Sequence, residues 1–188
     1  MSKANLRNFD YIKVAKLDTE MWRSYNNGNT SPARLFIRAF KLIKYQLGFS
    51  WIATVRLAYY AGRAALCYRL KNHGDEDYAQ SEKYLTGLFR TISRSCDKPF
   101  DFKEAARLEL EWWDIQRYPK KHTKSLSKSL NENMAAVYGL QHQAIKGYGK
   151  YRAEALLLLD KDKTKTDYIK METLLLEAWR SLHDSVRN

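Results

Sequence analysis

Two arginines and a tyrosine share one side of an otherwise apolar helix, predicted over residues 50–71. Arg56, Tyr60 and Arg63 recur at i, i+4 and i+7, the spacing that brings side chains onto one face of an α-helix. The helix has no clean polar face, which is typical of a helix packed on most of its surface. Arginine is almost never buried without a partner, so the fold or a ligand must supply an anionic group there.

Glu109 is the first candidate for that anionic group. It lies in a helix predicted over residues 101–118, away from the outward charged stripe and among alanines and tryptophans, including Trp113. We expect Glu109 to pair with Arg56 or Arg63 through bidentate hydrogen bonds. Truncation of Glu109 to alanine would then leave a buried guanidinium unpaired, at a cost on the order of 3–5 kcal/mol.

Arg152, in a helix predicted over residues 141–161, either joins this cluster or extends along the surface to water. We expect six residues to form one polar cluster: Arg56, Tyr60, Arg63, Glu109, Trp113 and Arg152.

Two kinds of function are compatible with such a cluster. In a binding or interaction protein, the Arg–Glu pair would fix how the helices pack. In a ligand-binding protein or a small-molecule enzyme, the arginines would bind an anionic small molecule. Glu109 would then be the candidate acid or base, because burial can raise a carboxylate pKa towards neutrality. We favour the non-enzymatic interpretation, with a protein partner or self-association.

No pattern of metal ligands accompanies the cluster. No glutamate has a histidine three residues later, and Cys67 and Cys96 are far apart in the sequence. The glycines at 147 and 149 lack the preceding strand and the spacing of a phosphate-binding loop. The sequence therefore predicts neither a metal site nor a cofactor.

A basic face is predicted on a second helix, over residues 32–47. Arg34, Arg38, Lys41 and Lys44 line it, in a chain whose net charge is +12. Such a face could bind nucleic-acid phosphates without reading sequence, contact an acidic protein, or be solvated only. Sequence-nonspecific nucleic-acid binding is thus a second alternative function.

Helical periodicity and its end signals run through the whole chain. Ser31 before Pro32 begins one helix, Gly48 ends it, Asp101 begins another, and Pro119 ends that one. With no competing strand pattern, residues 1–188 are predicted to form a single all-α domain. The predicted architecture is a bundle of seven or eight helices around the central apolar helix at 50–71.

The remaining expectations concern mobility and location. Residues 1–8 and the loops 119–125 and 160–166 are expected to be mobile. The N-terminus has charges throughout and no secretory h-region, no apolar run reaches transmembrane length, and both cysteines are expected to be free. A cytoplasmic location is the prediction.

Overall fold

The computed structural model describes residues 6–26, 31–69, 75–158 and 165–187, and all structural statements below concern these ranges. They contain α-helices joined by short turns and two 3-10 segments, Pro119–Lys121 and His142–Ile145, with no β-strand among them. The helices are α1 Tyr11–Asn26, α2 Pro32–Leu47, α3 Trp51–Arg69, α4 Asp75–Ser93, α5 Phe102–Arg117, α6 Leu126–Tyr138, α7 Lys146–Leu157 and α8 Lys165–Arg187. The predicted all-α bundle is confirmed.

The predicted helix ends have the expected physical causes. The Ser31 hydroxyl accepts from the backbone N–H of Arg34, and the Asp101 carboxylate accepts from those of Lys103 and Glu104. Gly48 and Gly139 close α2 and α6 at φ 68° and 64°, in the left-handed region that favours glycine. Local sequence signals therefore set where these helices begin and end.

The helices pack as a closed ring. Each α-helix packs mainly against its two neighbours along the chain, and α8 closes the ring by packing against α1. Each helix therefore turns one face inward, while the opposite face is turned away from the ring. The apolar core lies inside and between the helices, with Leu57, Leu85, Leu110, Leu156 and Leu182 almost completely buried.

The ring corrects the predicted position of α3. This helix is one segment of the wall and not the centre of a bundle, because its packing is with α2 and α4. The apolar stripe containing Ile52, Val55, Tyr59 and Leu66 is exposed, and Ile52 retains 87% of its accessible surface. Periodicity identifies an apolar stripe on a helix, but it does not show whether another helix covers that stripe.

The loop at 119–125 has defined contacts, although the sequence predicts that it is mobile. Lys124 Nζ lies 2.7 Å from carboxylate oxygens of both Glu111 and Glu132, so it connects α5 to α6. His122 Nε2 lies 2.7 Å from Asp114 Oδ2. Mobility of this loop stays a prediction. Of the other two segments predicted to be mobile, 1–8 and 160–166, residues 1–5 and 160–164 lie outside the described residues.

Candidate functional site

The ring surrounds a central cavity of about 730 Å³ that is partly open to solvent, and each of the described helices α1 to α8 contributes to its lining. Small-molecule sites in proteins typically measure roughly 300–1,000 Å³. Most lining side chains are aliphatic or aromatic, and Trp22, Trp112, Trp113 and Trp179 are among them. A concave, mostly apolar chamber with a few polar groups is the usual form of a ligand-binding site.

Glu109 is the polar side chain that α5 contributes to this lining together with Gln116 and Arg117. Its Oε1 accepts a hydrogen bond of 3.0 Å from Trp113 Nε1, one helical turn further along. Burial raises the pKa of Glu109, while donors on Trp112, Trp113 and Asn133 and the charge of Arg152 act in the opposite direction. The net direction is upward, so the protonated form is favoured more than in water.

Arg152 of α7 is buried beside Asp18 of α1, which is completely inaccessible to solvent. The two form an ion pair through Arg152 Nη1 and Asp18 Oδ2, and Trp179 Nε1 donates to the same Oδ2 at 2.8 Å. The Arg152 guanidinium also lies 5.7 Å from the Tyr148 ring centroid. Burial lowers the pKa of Arg152, but the surrounding groups, Asp18 first and then Tyr148 and Glu109, together raise it by more, so the guanidinium is charged.

This pair corrects one of the two alternatives expected for Arg152. Arg152 does not extend to the surface, and its carboxylate partner is Asp18, which the sequence analysis did not single out. A signal for it exists: Val14, Asp18, Met21 and Trp22 recur at i, i+4, i+7 and i+8. This spacing places an acidic residue on the apolar face of α1. An acidic residue on such a face points to a buried partner.

The predicted six-residue cluster does not converge. Arg56 and Arg63 are exposed on the outer side of α3, so neither contacts Glu109. Arg56 donates to the Tyr60 hydroxyl at 3.3 Å, and Arg63 lies over the ring of Tyr84 on α4 at 5.3 Å. The predicted pairing of Glu109 with Arg56 or Arg63 is therefore wrong, because that face of α3 is directed away from the ring.

Three residues of the predicted cluster, Glu109, Trp113 and Arg152, do line the same cavity. A second lining cation is Arg117, which the sequence analysis did not single out. Its Nη1 donates to the backbone oxygen of Tyr68 at 2.9 Å, and its guanidinium lies 4.4 Å from the Tyr68 ring centroid.

The predicted basic face divides into two free and two engaged cations. Arg34 and Lys41 are exposed on the outer side of α2. Arg38 Nη1 donates to the backbone oxygen of Glu20 at 2.7 Å, and Lys44 donates to that of Phe49. Only two of the four predicted cations are therefore exposed without a described partner, since Arg38 and Lys44 also bind the backbone of α1 and of the α2–α3 turn.

The other candidate groups are less suited to chemistry. Both cysteines are free, and burial raises the pKa of the Cys96 thiol to about 11, away from the range of a reactive thiolate. Among the described residues, no three His, Cys, Asp or Glu side chains are grouped so that they could hold a metal ion. Over the same ranges, no helix is both long and apolar enough to cross a bilayer.

Comparison with known proteins gives no relative on which a function could be based: no family model, curated protein or solved structure matches the chain.

Proposed function

We propose that this protein binds a small molecule in its central cavity, through an apolar or aromatic body and a cationic group placed against Glu109. The observation that carries the proposal is a cavity of about 730 Å³ that contains a carboxylate with no arginine paired to it. The volume and apolar lining suit a drug-sized ligand, and the carboxylate supplies orientation.

The charges around the cavity favour a cation over an anion. Arg152 is already paired with Asp18, and the second lining cation, Arg117, is held against the backbone oxygen and the ring of Tyr68. An ionised Glu109 therefore carries a negative charge with no ion-pair partner in the cavity lining. An isolated buried carboxylate is costly, and either a proton or a cationic ligand removes that cost. The ring of Trp113, edge-on to Tyr68 at a centroid distance of 5.4 Å, adds an aromatic surface of the kind that attracts cations.

The sequence-based alternatives remain as rival proposals. An anionic ligand would need a cation in the cavity lining, and Arg117, which also donates to the backbone oxygen of Tyr68, is the candidate for that role. A protein partner, self-association or nucleic acid would use outer surfaces and would leave the cavity without a role. A cytoplasmic location is likewise a proposal, supported by the sequence features alone.

A second function, catalysis, is favoured by one observation, the raised pKa of Glu109 inside a chamber. A carboxylate that binds a proton closer to neutrality suits general acid–base chemistry. If Glu109 acts in this way, the Glu109→Gln variant should still bind a cavity ligand without converting it. Mass analysis of the ligand after incubation with either form measures this.

The binding proposal is tested with two fluorescent probes of matched size and opposite charge, dansylcadaverine and dansyl-aminohexanoate. The cavity tryptophans can transfer excitation energy to either dansyl group. We expect the ammonium probe to bind the wild-type chain more tightly than the carboxylate probe. Glu109→Gln should weaken ammonium binding at least about tenfold, since about 1.4 kcal/mol corresponds to that factor.

The control is the same substitution at an exposed glutamate, Glu154→Gln on α7, which should leave both affinities unchanged. Preferential binding of the carboxylate probe would favour the anion pocket instead. Equal, Glu109-independent binding of both probes would remove the role proposed for the carboxylate.

A further inference from the structure

The outer side of α3 presents large apolar side chains to solvent. Trp51 is 70% exposed and Ile52 87% exposed, and Val55, Tyr59 and Leu66 are each about half exposed or slightly more. Ile52, Val55, Tyr59 and Leu66 fall at i, i+3, i+7 and i+14, which aligns them on one face of the helix. A contiguous exposed apolar face of this kind marks an interaction site more often than scattered single residues do.

This apolar face continues onto α2. The Trp51 ring contacts the ring of Phe40 at a centroid distance of 4.9 Å, so the two helices meet there. Beyond Phe40, the outer side of α2 presents Ile37, which is 52% exposed. We call this the α2–α3 surface, formed by Ile37, Trp51, Ile52, Val55, Tyr59 and Leu66.

Exposed cations border the α2–α3 surface on both sides, Arg34 and Lys41 on α2 and Arg56 and Arg63 on α3. No acidic residue occurs anywhere from position 21 to position 74, a stretch that holds nine lysines and arginines. The α2–α3 surface is therefore apolar in its middle, and every charged group that α2 and α3 contribute to it is a cation.

We propose that the α2–α3 surface docks on an anionic lipid bilayer, with its apolar side chains at the acyl boundary and its cations among the headgroups. Apolar and aromatic residues beside lysine and arginine are the usual composition of an interfacial helix face. Arginine stems can lie along the apolar layer while their guanidinium groups reach the headgroup phosphates. This proposal stands independently of ligand binding in the cavity.

The combination of exposed apolar and cationic groups disfavours two other partners for this surface, a second copy of the chain and a nucleic acid. A two-fold interface with a second copy would bring this cationic surface against itself, with no carboxylate from residues 21–74 to offset the repulsion. Nucleic-acid phosphates would pair with the arginines but would leave Ile52 and Leu66 in water. A bilayer satisfies the charged and the apolar groups together.

The test is flotation of the full chain with vesicles of phosphatidylcholine, with and without phosphatidylserine. We expect binding to the anionic vesicles, weak binding to phosphatidylcholine alone, and loss of binding as salt is raised. Ile52→Asp should weaken binding at least about tenfold, because it removes the transfer of a large apolar side chain. The double variant Arg56→Gln and Arg63→Gln should weaken binding to the anionic vesicles about fivefold per charge removed.

The matched control is Ile169→Asp on α8, where the replaced side chain is 58% exposed but lies off the α2–α3 surface. Its binding should equal that of the wild type. Trp51 gives a second readout, since brominated lipids should quench its fluorescence and Trp51→Phe should remove that quenching. Because Ile52 is so exposed, its substitution should not alter the melting temperature, and Leu66→Asp offers a second variant.

Three results would overturn the proposal. The first is failure of the wild type to float with anionic vesicles. The second is equal binding by Ile52→Asp and Ile169→Asp. The third is a stable dimer in light scattering that Ile52→Asp dissociates, since this would identify a second copy as the occupant.

Discussion

The side chains of Asp18, Arg152 and Trp179 form one buried polar unit that joins α1, α7 and α8. Asp18 Oδ2 accepts from both partners, while its Oδ1 is a buried atom without a hydrogen-bond partner. Removing one member of a buried pair leaves an uncompensated charge, which costs more than the intact pair contributes. The stability of the fold should therefore fall when Asp18 is substituted, and it should change little when an exposed ion pair is broken.

We expect Asp18→Asn to lower the free energy of unfolding by about 3–5 kcal/mol, measured by urea titration. The control is Glu172→Gln, which breaks the half-exposed pair of Arg23 and Glu172 at 3.4 Å and should cost less than about 1 kcal/mol. Equal losses for the two variants would mean that the Arg152 guanidinium finds water or another partner when Asp18 is neutralised.

Glu109 should respond to substitution differently from Asp18. The sequence-based expectation of a 3–5 kcal/mol loss assumed that Glu109 neutralises a buried arginine, whereas Asp18 does so. Glu109→Gln should therefore leave stability near neutral pH unchanged or raise it, because burial disfavours the ionised carboxylate. The amide oxygen can still accept from Trp113.

The pH dependence of this effect has a definite sign. Because the folded-state pKa of Glu109 lies above its ordinary value of 4.5, the folded chain holds the proton more tightly than the unfolded chain. The stabilisation is present below that ordinary value and is lost as pH rises through the folded pKa. Urea midpoints from about pH 4 to about pH 8 should shift in favour of Glu109→Gln relative to wild type. A constant difference would contradict a raised pKa.

Single-residue chemistry was only partly predictable from the sequence. Glu109 was identified because a carboxylate among alanines and tryptophans breaks the amphipathic pattern of α5. Its partner was not identified, because pairing between helices depends on which faces meet across the ring. Asp18 and Arg152 are separated by 134 positions in the chain, so only the closure of α8 onto α1 brings their helices close.

At the scale of elements, helix ends were more predictable than helix environments. Ser31, Gly48, Asp101 and Pro119 act through neighbours within four residues, so their roles can be inferred locally. The environment of α3 could not be inferred in this way, because covering its outer face would require another helix that the ring does not provide.

Close packing of α6 against α7 gives an element-scale prediction. A Cβ atom at Gly149 would lie 2.2 Å from the backbone oxygen of Ser127, whereas one at Gly62 on α3 would meet nothing within 4 Å. Gly149→Ala should therefore cost about 1–3 kcal/mol through overpacking. Gly62→Ala should be neutral or stabilising by about 0.5–1 kcal/mol, because alanine is the better helix former.

Thermal unfolding of the two alanine variants checks this pair directly. Both variants replace a helical glycine by alanine, so the change in helix propensity is the same in each. The difference between their stabilities therefore measures how closely the backbones of α6 and α7 approach. If Gly149→Ala is as stable as Gly62→Ala, then α6 and α7 can move apart without a loss of stability. The interface between these two helices would then be less tightly packed than the contact at Gly149 indicates.

At the scale of the whole molecule, the closed ring separates two kinds of surface. The inner faces of all eight helices line one apolar chamber containing Glu109 and Arg152. The outer side of α2 and α3 carries the exposed apolar and cationic groups of the α2–α3 surface. Sequence periodicity predicted helices with apolar faces, but closure of α8 onto α1 creates the chamber, and that long-range contact has no local signal.

Native mass spectrometry of the chain with dansylcadaverine shows whether the central cavity is a binding site. The comparison is between Ala65→Phe, which places a phenyl ring in the chamber from α3, and Ala79→Phe at an exposed position on α4. We expect one probe per chain for the wild type and for Ala79→Phe, and a smaller bound fraction for folded Ala65→Phe, because the added ring takes up part of the ligand space. If the wild type forms no complex, or if Ala65→Phe binds the probe as well as Ala79→Phe does, the cavity is not the binding site.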